Sequence, residues 1–191
     1  MAKAKKKQKK DLTGLIVNVV VIALAVLTVC TLFMPIFKGV ALLGGKELST
    51  VSAKGFDAFT AAFNSETASE LSDGANMLIG LKTAEEGAFV SVMMIWTYML
   101  TVVVSVASLV FAVLNVLGMK FKLVNTVLGI ALVVLAILAF VFTLVSASKH
   151  TAIEVLLDKE TGTKFLAAVG AYFMLAPLVA GAAEVYKART K

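Results

Sequence analysis

Leu123–Ser148, LVNTVLGIALVVLAILAFVFTLVSAS, runs for 26 residues without an Asp, Glu, Lys, Arg or His. A helix needs about 20 such residues to cross roughly 30 Å of hydrocarbon. Three further stretches share this character: Leu12–Phe37, Ala88–Leu117 and Phe165–Tyr186, the last interrupted only by Glu184. With 60% hydrophobic residues and a mean hydropathy of +0.95, the 191-residue chain lies outside the composition of a soluble domain. The reading is an all-α membrane protein with four spans.

Charge sets the expected orientation. Lys3, Lys5, Lys6, Lys7, Lys9 and Lys10 precede span one, Lys120 and Lys122 lie between spans two and three, and Lys187, Arg189 and Lys191 follow span four. An even number of spans places all three groups on one face, which the positive-inside rule makes cytoplasmic. The expected division is a basic cytoplasmic tail (1–11), span one (12–37), an extracytoplasmic loop (38–87), span two (88–117), a cytoplasmic turn (118–122), span three (123–148), a second outer loop (149–164), span four (165–186) and a cytoplasmic tail (187–191). That places the protein in the cell (plasma or inner) membrane. The Lys-rich tail can also attract anionic lipid. Nucleic acid is not expected, because no aromatic residues interleave with the lysines. The basic start followed by an apolar run also invites a signal peptide, but about 25 apolar residues exceed such a core, and no small-residue cleavage site follows.

Inside a membrane, helices associate through close contact of small and weakly polar residues. Span one offers Asn18, Ala25 and Thr28. Span two repeats Thr101, Ser105, Ser108, Ala112 and Asn115 at spacings of four and three, span three repeats Gly129, Ala136, Ala139, Thr143 and Ser146, and span four contributes Gly170 and Gly181. Such seams favour a left-handed bundle. The alternative is a polar pore lining; packing is preferred because few of these groups are strongly polar. Gly118 suits the cap of a helical hairpin joining spans two and three. Pro35 should end span one, and Pro177 should kink span four by freeing the carbonyl of Phe173.

In the first outer loop, two short strands flank Gly44-Gly45 and read as a β-hairpin at about 40–51. Short helices follow at about 54–64 and 68–81. Phe56, Phe59 and Phe63 share one face of the first. They are a candidate interaction surface, or they rest on the membrane end of the bundle; aromatic stripes at helical spacing favour the second. The second outer loop reads as an outward extension of span three, with Val155-Leu156-Leu157 giving way to a turn at Asp158–Gly162.

This layout resembles the claudin-like tetraspan proteins: inner termini, a long first outer loop opening with strand-like sequence, a tight inner turn and a short second outer loop. The resemblance implies outer strands forming a sheet over a left-handed four-helix bundle, and lateral association. The family's first-loop Trp and paired cysteines are absent, since Trp96 lies in span two and Cys30 is the single cysteine. Paracellular sealing is therefore not implied.

One cysteine and one histidine, His150, hold no disulfide and no metal, and no cofactor is expected. Val29 is too bulky for a lipidation box at Cys30. Gly44-Gly45 lacks the Lys-Ser/Thr of a phosphate loop. Glu184 is placed about two residues from the inner end of its span, where it reaches water. An enzyme is not expected. The expectation is a non-catalytic tetraspan acting through protein contacts, an accessory or scaffold subunit whose partners are lipid and other membrane proteins or further copies of itself. A small oligomeric channel or transporter is the alternative.

Overall fold

The computed structural model describes residues 2–119, 121–156 and 159–190. Met1, Lys120, Leu157, Asp158 and Lys191 lie outside the described residues, as do the side chains of the Lys-rich tail, so the start of the turn expected at Asp158–Gly162 falls there. In chain order come α1 (Ala2–Cys30), a 3-10 turn (Thr31–Phe33), β1 (Pro35–Leu43), β2 (Lys46–Lys54), α2 (Gly55–Phe63) and α3 (Asp73–Thr83). Then follow α4 (Ala88–Val116), α5 (Lys122–His150), β3 (Ala152–Leu156), β4 (Lys159–Ala167), α6 (Val169–Phe173) and α7 (Ala176–Thr190). Four segments are long and apolar enough to cross a membrane: Leu12–Phe33, Ala88–Val116, Lys122–His150 and Val169–Lys187. The protein is mostly helical with a small antiparallel sheet.

The helices pack as a ring. α1 and α5 each contact both α4 and α7. α5 and α7 approach at two glycines: a Cβ on Gly129 would lie 2.9 Å from the Gly181 carbonyl oxygen. α4 and α5 are joined through Gly118, whose φ of +97° suits a residue without a Cβ. Where α4 begins and α5 ends, Ser91 Oγ lies 2.9 Å from Ser146 Oγ and 2.8 Å from His150 Nε2.

The first span ends earlier than hydropathy suggests. Proline restricts the residue before it to extended backbone, and Met34 has ψ of 148°. Pro35, Ile36 and Phe37 therefore open β1. Gly44 and Gly45, with φ of 60° and 79°, make the turn into β2, as a two-residue hairpin connection requires. The hairpin runs from Pro35 to Lys54, longer than the expected 40–51, because β1 is a central strand.

The sheet has the order β2-β1-β4-β3, all antiparallel. β4 lies against β1 in the register Phe37↔Ala167 to Leu42↔Gly162. The Gly45 amide also donates to the Glu160 carbonyl at 2.8 Å. This corrects three expectations. The hairpin expected alone is part of a four-stranded sheet. Span three does not extend outward beyond His150, since β3 and β4 follow. Phe165–Ala167 belong to β4 and not to span four.

The fourth span is interrupted rather than kinked. α6 ends at Phe173, Met174 and Leu175 form a turn, and α7 restarts at Ala176. Pro177 thus sits in the first turn of α7, where a missing N–H is tolerated.

The larger core residues gather at the sheet end. Phe37, Leu78, Ile79, Met94, Ile95, Tyr98 and Met174 are buried together where β1, α2, α3, α4 and the α6–α7 break meet. Phe37 and Phe165 stack at 5.7 Å. Asp57 links the two short helices: its carboxylate accepts from the Lys54 amide at 2.7 Å and from Ser72 Oγ at 2.5 Å. Ser72 Oγ in turn accepts from the Ala75 amide, and this N-cap starts α3 at Asp73 instead of the expected 68.

Candidate functional site

The small and polar residues of the helices are largely buried. Asn18, Ala25 and Thr28 on α1, Thr101, Ser105, Ser108 and Ala112 on α4, and Gly129, Ala136, Ala139, Thr143 and Ser146 on α5 are all buried, as is Gly181 on α7. Asn115 is half-buried beside the connecting turn. Gly170 is buried elsewhere, against the Pro35 carbonyl beneath the sheet.

Most of the threonines spend their hydroxyls locally. Thr28 donates to the Leu24 carbonyl at 2.9 Å, Thr101 to Thr97 at 2.6 Å and Thr143 to Ala139 at 2.7 Å. Such back-bonding satisfies the group within its own helix. Thr31 also joins two elements: its Oγ1 lies 2.9 Å from the Tyr98 hydroxyl.

Glu184 is not at a wet interface. It is 2% exposed, Lys187 is 6% exposed, and their charged atoms lie 3.9 Å apart. Lys187 Nζ donates to Asn18 Oδ1 across the α1–α7 contact. Gly129 faces Glu184 from α5, and Asn125, one turn before Gly129, is also buried. Asn18, Glu184 and Lys187 thus form a buried cluster between α1 and α7, with Gly129 of α5 packed against Glu184. Counting residues from the end of the apolar run hid this. The signal that could have found it is Gly181-x-x-Glu184-x-x-Lys187, spacing that puts both charges beside a packing glycine. A buried ion pair within a helix long and apolar enough to cross a membrane is by default a functional-site hypothesis.

His150 also acquires a partner that sequence spacing does not reveal, since Ser91 and His150 lie far apart in the chain. The pair has the geometry of a hydroxyl and its base, yet Ser91 is fully buried. It joins the ends of α4 and α5. Among the described residues, no three His, Cys, Asp or Glu side chains could hold a metal.

The phenylalanines of α2 divide. Gly55, Ala58 and Ala61 form its buried face, because only small residues let its backbone lie this close. A Cβ on Gly55 would overlap the Tyr98 hydroxyl. Phe59 packs against the core, whereas Phe56 and Phe63 are 59% and 73% exposed. Phe59 thus rests on the core and Phe63 on α4 through Trp96, while both Phe56 and Phe63 keep most of their surface exposed. Phe63 meets Trp96 edge-on at 6.0 Å. Lys82 Nζ donates to the Ala61 and Asn64 carbonyls, both at 2.5 Å, clipping the end of α2 to α3. Desolvation lowers the pKa of Lys82. A cleft of about 160 Å³ between α2, α3 and α4 is lined by Ala62, Lys82, Ile95 and Trp96.

The sheet tip is the other exposed feature. Leu43 and Leu48 are 57% and 65% exposed. The β1–β2 register passes from Ala41↔Ser49 to Leu42↔Glu47, so Leu48 is the extra residue of a bulge. Bulges re-aim a side chain and bend an edge strand.

No protein-family model matches the chain, and no curated protein or solved structure shows a significant match.

Proposed function

We propose that the chain is a four-span integral membrane protein that acts by contact, as an accessory or scaffold subunit. Its bundle, left-handed in this reading, carries the sheet on the extracytoplasmic face of the cell membrane. The basic tails lie in the cytoplasm, where the lysines meet anionic lipid. The observation that carries this reading is the sheet itself. The two segments between the spans are joined into one sheet, with edge strands β2 and β3 and an apolar bulge at Leu48. Open sheet edges are templates for a further strand. The locally satisfied threonines favour helix packing over a water path. The claudin-like layout carries the same expectation of lateral association.

A photo-crosslinking residue at Leu48, in intact membranes, tests the proposal. Discrete adducts of one or two sizes are expected from Leu48 and not from lipid-facing Val134. A ladderless, monomeric product at Leu48 would remove the main support.

The second reading, a channel or transporter, is favoured by the buried Glu184 and Lys187. Flux through purified protein in vesicles that disappears in Glu184→Gln would select it.

A further inference from the structure

The position of α2 relative to the bundle defines a second, lipid-facing surface. Gly55, at the start of α2, lies against Leu32 and the Tyr98 hydroxyl. Phe63, at its end, lies against Trp96. Tyr98 and Trp96 are two residues apart on α4, about 3 Å along its axis, while nine residues of α2 span about 13 Å. The two ends of α2 are therefore at nearly one height, and α2 lies across α4 rather than along it.

That height coincides with the edge of the hydrocarbon. The apolar part of α1, Leu12–Phe33, is about 33 Å long, matching one bilayer core. α4 and α5, 29 residues each, are about 43 Å long and exceed it by about 10 Å. With Leu12 and Val116 at one boundary, the other falls about 20 residues on, at Leu32 and Trp96. These are the residues that touch the two ends of α2. Around α2 the exposed side chains at this level include four aromatics, Phe33 at 71%, Phe56, Phe63 and Trp96. Just beneath them the outer face of α4 continues as exposed Leu100 and Val103. Aromatic residues collect at the membrane–water boundary, and amphipathic helices lie flat there. Lys54, exposed beside the start of α2, is placed to meet lipid phosphate.

We propose that α2 is an interfacial helix whose Phe56 and Phe63 insert into the headgroup–acyl boundary of the leaflet on the sheet side. The occupant of this face is lipid, and Phe56, Phe63 and Trp96 form one segment of an aromatic belt. The proposal rests on the bundle spanning a bilayer, but not on the contact role of the sheet.

Trp96, the only tryptophan, reports on it without any substitution. The full chain is reconstituted in phosphatidylcholine vesicles containing lipid brominated either near the carbonyl end or near the methyl end of the chain. Trp96 should be quenched several-fold more strongly by the carbonyl-end lipid, and weakly by aqueous acrylamide. In a Trp96→Phe background, the probes Phe56→Trp and Phe63→Trp should behave alike. Leu48→Trp, on the sheet, should respond to acrylamide and to neither bromolipid. The proposal fails if F56W and F63W are quenched by acrylamide as readily as L48W. It fails equally if they are shielded from acrylamide and bromolipid together, which would mean that protein covers the face. Trp96 quenched more by the methyl-end lipid would place α2 too deep and would also overturn it.

Discussion

Replacing Lys187 by Met leaves the Glu184 carboxylate buried among α1, α5 and α7. Its charged atom lies 3.9 Å from Lys187 Nζ. At an effective dielectric constant of about 20, a pair at that separation attracts by about 4 kcal/mol. Removing one member of a buried pair typically costs about 3–5 kcal/mol, while replacing both with neutral groups of similar size is close to neutral. Lys187→Met should therefore destabilise the fold by about 3–5 kcal/mol. Glu184→Gln should cost less, because Asn18 Oδ1 still accepts from the ammonium. The double variant should lie within about 1 kcal/mol of the parent, for a coupling of at least about 2–4 kcal/mol once the cost of Glu184→Gln is added to that of Lys187→Met. Reversible unfolding in mixed micelles with increasing dodecyl sulfate, followed by circular dichroism, supplies all four corners of the cycle. A coupling below about 0.5 kcal/mol, the level of an exposed pair, would show that water screens the charges and would refute their enclosure.

Other outcomes follow from single contacts. Gly55→Ala sets a methyl group on the Tyr98 hydroxyl, and overpacking of this kind should lower stability by about 1–3 kcal/mol, read as a loss of near-UV dichroism. Ser91→Ala removes the bridge to Ser146 and His150; a cost of about 1–2 kcal/mol is expected, with faster amide exchange at the start of α4. Gly129→Leu should force α5 from α7 at the Gly181 carbonyl and be worse than Ile130→Leu on the exposed face, measured by the same micelle titration. Lys82→Met should fray α2 by releasing the Ala61 and Asn64 carbonyls, raising exchange at Ala62 and Phe63 while leaving α4 protected.

The helices were legible because hydropathy over 20 or more residues is a local property that no tertiary contact has to supply. The sheet was only half legible. The β1–β2 hairpin carries its own signal in Gly44-Gly45. β4, however, becomes a strand by pairing with β1 more than a hundred residues away, and Phe165-Leu166-Ala167 merge by hydropathy with the span that follows. Pro177 reads as a kink in one dimension, whereas the chain resolves its missing donor by ending α6 at Phe173. The candidate site was hidden for a similar reason. Glu184 and Lys187 read as boundary charges in one dimension, and only the side of α7 they share with Gly181 turns them inward. In α2 the eye falls on three phenylalanines, but Gly55, Ala58 and Ala61 decide which face is buried.

Opposite placement of the sheet and the α4–α5 turn across the bilayer is the most direct test of a spanning bundle. Cys30 is replaced by Ser, and single cysteines are introduced by Leu48→Cys and Met119→Cys. Intact cells are then treated with a membrane-impermeant maleimide. Labelling of L48C from outside, with M119C labelled only after permeabilisation, is the expected result. Labelling of both from the same side would contradict a four-span bundle.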